Sequence, residues 1–167
     1  MFRFIVHRSI AVLIPLSVAI AATCLLTIRI SAATGDAASS AAGACALIAA
    51  VDIAKTTGLT VGNGTAGTPI PGVLGRCTWV GEGTTKVILT LADSQHMELT
   101  INVQEGHGTA VSGLGMKAVG AKAAGFMGGG YTVNVLDTKG GFGISILGKE
   151  GTQERAVALA KLIESRR

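Results

Sequence analysis

The sequence predicts an α+β domain: a mainly antiparallel β-sheet with N- and C-terminal helices packed on one face, stapled by one Cys45–Cys77 disulfide. Three observations carry this. Apolar residues recur at helical spacing at both ends of the region beyond residue 43, the period falls to two between those ends, and Cys45 and Cys77 are the only cysteines there.

The elements follow in chain order. The first nine residues carry Arg3, His7 and Arg8 and no acid, and an uncharged, mostly apolar stretch runs from Ile10 to Ile28, ahead of Arg29. A basic segment before an apolar one is the pattern of an export signal. Ser31-Ala32-Ala33 offers small residues for cleavage, which would start the mature chain at Thr34. The apolar run exceeds the roughly 7–15 residues of a signal core and approaches the roughly 20 of a spanning helix. Residues 1–33 are therefore a signal peptide or a membrane anchor. Either way the globular part is expected outside the cytoplasm, because N-terminal basic residues favour the inner side. It would be periplasmic or secreted, or anchored at the outer face of the inner membrane. Cys24 follows Thr23 and precedes Leu25-Leu26. That is a poor lipoprotein setting, and Cys24 reads as an inert leader residue.

Residues 34–43 are Ala, Ser and Gly with one Asp, the composition of a flexible tether. Residues 44–167 then form a single α+β domain. Three of the fourteen basic residues lie in the leader and all ten acids lie beyond it, so the region from Thr34 onward balances at +1. No dense basic patch with interleaved aromatics is present, which argues against a nucleic-acid partner.

Residues 44–57 read as a helix with Leu47, Ile48, Val51 and Ala54 on its apolar face and Gly58 as its stop. Five glycines and two prolines between Gly62 and Gly75 mark an irregular connection. Residues 76–80 form a short strand. Val87, Leu89 and Leu91 share one face of the next strand. Met97, Leu99, Ile101 and Val103 alternate with polar residues, predicting a further strand after a turn over 92–95. His96 and Glu98 would share a face of it. Residues 106–130 carry no clear period, with 116–124 open between strand and short helix. Tyr131, Val133 and Val135, a turn over 138–141, and Phe142, Ile144 and Ile146 predict a hairpin. Residues 152–165 close the chain as a helix capped by Thr152, with Ala156, Leu159, Ala160 and Ile163 as its stripe.

The chemistry-bearing motifs are sparse. Residues 62–67 match G-x-G-x-x-G, but Pro69 and Pro71 follow and no helix opens there, so a loop is expected rather than a nucleotide site. Asn63-Gly64-Thr65 is also a glycosylation sequon, relevant only in a host that glycosylates exported chains. His96 with Glu98, and His107 near Glu105, offer zinc-ligating groups, but a site needs three or four ligands at fixed geometry. The glycines around His107 leave its placement open, so solvated edge or loop residues are expected. The serines lack a G-x-S-x-G setting, and the two cysteines are best spent on each other. No catalytic residue, metal or cofactor is implied. Trp79, two residues after Cys77, is expected in the core over the disulfide. Trp79, Phe126 and Tyr131 are also the candidate binding aromatics, as the lining of a groove.

CALIAAVDIAKTTGLTVG, then CTWV, then GLGMKAV and a final ALAKLIESRR resemble a family of bacterial exported proteins and lipoproteins of unknown function. Cys45-Ala46-Leu47, Cys77-Thr78-Trp79 and Gly113-Leu114-Gly115 match its three short motifs. Ile48 stands where leucine is usual, and Met116 where an acid is common. The resemblance covers about residues 44–165 and implies an envelope α+β domain with no established activity.

The expected function is an exported, non-enzymatic envelope domain that binds a small apolar ligand or a partner protein, with membrane contact only through an uncleaved N-terminal segment. A hydrolase with an unrecognised site and a structural cell-envelope protein are the alternatives.

Overall fold

The computed structural model describes residues 43–68 and 70–167, the side chain of Phe126 excepted. The leader, Cys24 and the tether up to residue 42 lie outside the described residues.

The centre is a seven-stranded antiparallel sheet. Its strands are β1 (Thr65–Ala66), β2 (Val73–Val80), β3 (Lys86–Ala92), β4 (Thr109–Ala110), β5 (Lys117–Lys122), β6 (Gly130–Asp137) and β7 (Gly140–Leu147), in the order β1-β2-β3-β7-β6-β5-β4. The helices are α1 (Ala50–Thr57), α2 (Ser94–Glu105) and α3 (Gln153–Arg166), with a further helical segment over 43–47.

Register explains the core. Trp79, Val87, Ile146 and Tyr131 lie side by side across β2, β3, β7 and β6, and Cys77, Leu89, Ile144 and Val133 form the next row. In a strand alternate residues point the same way, so both rows occupy one sheet face. Against it pack Ala44 and Ile53 from the N-terminal helices, Ile48 from the break between them, and Ala156, Leu159, Ala160 and Ile163 from α3. The N- and C-terminal helices thus share one face, and the α3 stripe is the one its sequence predicts. Thr152 caps α3 by accepting from the Arg155 amide.

Cys45 and Cys77 are bonded, with their Cα atoms 5.1 Å apart. The bridge fastens the first helical segment to the sheet. A disulfide is consistent with an oxidising compartment.

Three local expectations are corrected. The helix predicted over 44–57 is interrupted: Ala49 is extended (φ −100°, ψ 165°), and α1 starts afresh behind it. The break shifts the helical phase, turning Ile53 inward while Val51 is 55% exposed and Ala54 is exposed. Asp52 stabilises the restart by accepting from the Ala49 amide at 2.8 Å.

The strand predicted around 97–103 is helix α2. Asp93, read as a turn residue, is its N-cap and accepts from the His96 amide at 2.7 Å. Met97 and Ile101 are four apart, a spacing that fits both a strand face and a helix face. They bury against Ala92, Val119 and Leu136, whereas Leu99 is 60% and Val103 77% exposed. On a helix His96 and Glu98 no longer share a face. α2 also covers part of the opposite sheet face, over β5, β6 and β7. Elsewhere that face mixes apolar and polar residues: Val80, Ile88 and Leu147 lie on it, and Thr132 and Ser145 hydrogen-bond through their hydroxyls at 2.9 Å.

The connection predicted to be irregular is partly sheet: residues 65–66 pair with 77–78, and the Gly62 and Gly67 amides donate to Val80 and Arg76. The G-x-G-x-x-G stretch is therefore an edge strand and its flanks. The open segment 116–124 contains strand β5.

Candidate functional site

The sequence-derived site residues are mostly structural. Trp79 is 1% exposed and Tyr131 7%, both within the main core, with Val87 and Ile146 between them in the cross-strand row. Neither ring offers itself to a ligand. Burial raises the Tyr131 hydroxyl above its ordinary pKa, and the nearby Glu154 charge adds to the effect. Phe126 belongs to the short turn of 3-10 helix Gly125–Met127, remote in sequence from Trp79.

The three short motifs each have a packing role. Cys45 and Cys77 make the bridge. Gly64 crosses directly over it: a Cβ there would lie 2.6 Å from Cys77 Sγ and 2.7 Å from Trp79 Nε1. Leu114 is buried in the core between Gly113 and Gly115, both with positive φ (75° and 52°). These glycines let the chain turn in and out around one inserted leucine.

Among the described residues, no three His, Cys, Asp or Glu side chains converge as metal ligands. No described helix is long and apolar enough to cross a membrane.

Two surface features remain. The first is the outer side of α2. Leu99 and Val103 stand four residues apart and so on one side of the helix. Leu99 borders a depression of about 290 Å³ together with Pro71, Gly72 and His96. The loop bearing Pro71 is held there because the Asp93 amide donates to the Gly72 carbonyl, at 3.3 Å. Ile70, next to Pro71, is exposed as well.

The second is a cleft of about 580 Å³ at one end of the sheet, where the connections after α1, between β2 and β3, and between β7 and α3 meet. Leu59, Thr60, Thr84 and Thr85 contribute uncharged lining, and Glu82, Lys149, Glu150 and Arg155 contribute charge. Arg155 Nη1 donates to Glu150 Oε2 at 2.7 Å and to the Glu150 carbonyl at 2.8 Å. That hydrogen bond holds the Glu150 carboxyl below its ordinary pKa, with smaller help from the charges of Arg155 and Lys149. Sequence reading missed this cleft because its residues come from three separated turns and form no motif.

Comparison with protein families, curated proteins and solved structures finds no match.

Proposed function

We propose that this protein is an exported, non-enzymatic envelope domain, periplasmic or secreted, that docks a partner protein on the outer side of α2. One observation carries the docking reading: Leu99 and Val103 are 60% and 77% exposed on the same side of one helix, beside the exposed Ile70-Pro71 loop. Scattered exposed apolar residues are ordinary, but contiguous ones mark interaction sites. The partner expected is a protein presenting a complementary apolar helix or strand. A small apolar ligand finds less support, since Trp79 and Tyr131 are spent in the core. Membership of the exported family suggested by the Cys-Ala-Leu, Cys-Thr-Trp and Gly-Leu-Gly segments belongs to the same reading, as does a leader that carries the domain across the inner membrane.

The test is site-specific photo-crosslinking in intact cells. A photoreactive residue at position 70, 99 or 103 should give one discrete adduct, and the adduct from position 70 should be lost when Leu99→Glu and Val103→Glu are added. Equal adducts from a probe at the exposed Val51, or none from α2, would remove the docking reading. Trapping of free thiols before lysis checks export: Cys45 and Cys77 should resist alkylation unless first reduced.

A further inference from the structure

The charges around the 580 Å³ cleft are not all matched. Arg155 and Glu150 satisfy each other at 2.7 Å. Glu82 and Lys149 line the same cleft and, among the described residues, form no ion pair with each other or with any other side chain. Both are exposed. An unpaired acid and an unpaired base on one concave surface are complementary to a molecule charged oppositely at its two ends. A simple anion entering the cleft would face Glu82 and Glu150, and a simple cation would face Lys149 and Arg155. A molecule bearing both charges avoids each repulsion and gains both attractions. The volume is within the roughly 300–1,000 Å³ typical of small-molecule sites, and the threonines supply uncharged hydrogen-bonding groups between the charged ones. A neighbouring depression of about 370 Å³ shares Gly83 and Thr84 and reaches Met127 and Leu147, giving room for an apolar side chain.

We infer that this cleft binds a small zwitterion of the class of free amino acids and short peptides, its ammonium toward Glu82 and its carboxylate toward Lys149. The site is separate in residues from the α2 docking face, and neither reading depends on the other.

The probe is L-alanyl-L-alanine, titrated into the isotopically labelled exported protein while backbone amide resonances are followed. The expected result is saturable shifts at Gly58, Gly83 and Thr85 with a dissociation constant in the millimolar range or tighter. The N-acetylated and the C-amidated dipeptides, each lacking one charge, should bind at least tenfold more weakly, a difference of about 1.4 kcal/mol. Glu82→Gln should remove the preference over the N-acetylated probe, and Lys149→Gln the preference over the amide. Both substitutions lie on exposed positions and should leave the melting temperature unchanged, which separates lost binding from lost folding. Leu99→Glu should leave the titration unaltered. Absence of saturation in the millimolar range, or equal binding of the singly charged dipeptides, would overturn the inference.

Discussion

Arg166 grips Asp52 with both guanidinium nitrogens, Nη1 to Oδ2 at 2.7 Å and Nη2 to Oδ1 at 2.9 Å. Nη1 also donates to the Leu47 carbonyl at 2.9 Å. One residue near the end of α3 thereby reaches α1 and the helical segment before it. The two-pronged geometry is the form in which a partly exposed ion pair is most effective.

This pair predicts an acid limb in the stability profile. The Arg166 hydrogen bond, with the Ala49 amide second, holds the Asp52 carboxyl well below the usual carboxylate range. A carboxyl depressed in the folded state contributes stability above its unfolded pKa and loses it as pH falls through the folded one. The melting temperature of the protein should therefore decline below about pH 4, and Asp52→Asn should flatten that decline while lowering the plateau at neutral pH. Parallel thermal melts from pH 7 to pH 2 decide it; identical slopes would show that the pair contributes nothing.

Reduction of the disulfide should be costly. The bridge closes a loop with a sequence separation of 32, for which chain-entropy arguments give about 3–4 kcal/mol. A Cys45→Ala/Cys77→Ala chain should unfold at clearly lower urea than the parent, with the loss concentrated in the helical segment over 43–47. Urea melts with and without reductant measure it.

Gly64→Ala should act as overpacking. The added carbon would have to displace the sulfur of Cys77 or the indole of Trp79, and such insertions cost about 1–3 kcal/mol. Trp79, the sole tryptophan, reports the shift directly by its emission. An unchanged spectrum and melting temperature would mean that the strand edge moves away freely.

Alanine substitutions along α2 should split into two groups. Ile101→Ala and Met97→Ala, from buried positions, are expected to cost about 2–5 kcal/mol. Leu99→Ala and Val103→Ala, from exposed ones, should stay within about 0.5 kcal/mol. A strand would bury all four on one face and make all four costly, so this series also separates helix from strand.

The same residues show what was legible in the sequence. The hairpin of β6 and β7 and the stripe of α3 were readable because each period repeats long enough to exclude the other. In α2 the buried pair, Met97 and Ile101, fits periods of both two and 3.6, and exposed Leu99 and Val103 completed a false alternation. Asp93 held the deciding signal, since a side chain that ends a strand in a turn also caps a helix. The interruption at Ala49 had no such marker: alanine is the best helix former, and it is the Asp52 carboxylate three residues on that receives its amide. The charged cleft was illegible for a different reason. Glu82 and Lys149 are sixty-seven positions apart, and only the fold makes them neighbours of one surface.

The strand order carries a consequence for the timing of folding. Among the described strands β7 is the last in sequence and the middle of the seven, joining the β1-β2-β3 half to the β6-β5-β4 half. Until residues 140–147 are available, β3 (Lys-Val-Ile-Leu-Thr-Leu-Ala) and β6 each present an unpaired edge. Non-local pairing of this kind makes folding slow and leaves apolar edges open meanwhile. A chain ending at residue 139 should therefore collect as aggregate in a sedimentation assay, while the chain through residue 167, which completes the sheet and covers it with α3, should remain largely in solution. The two halves of the sheet can thus commit to each other only when residues 140–147 have joined them.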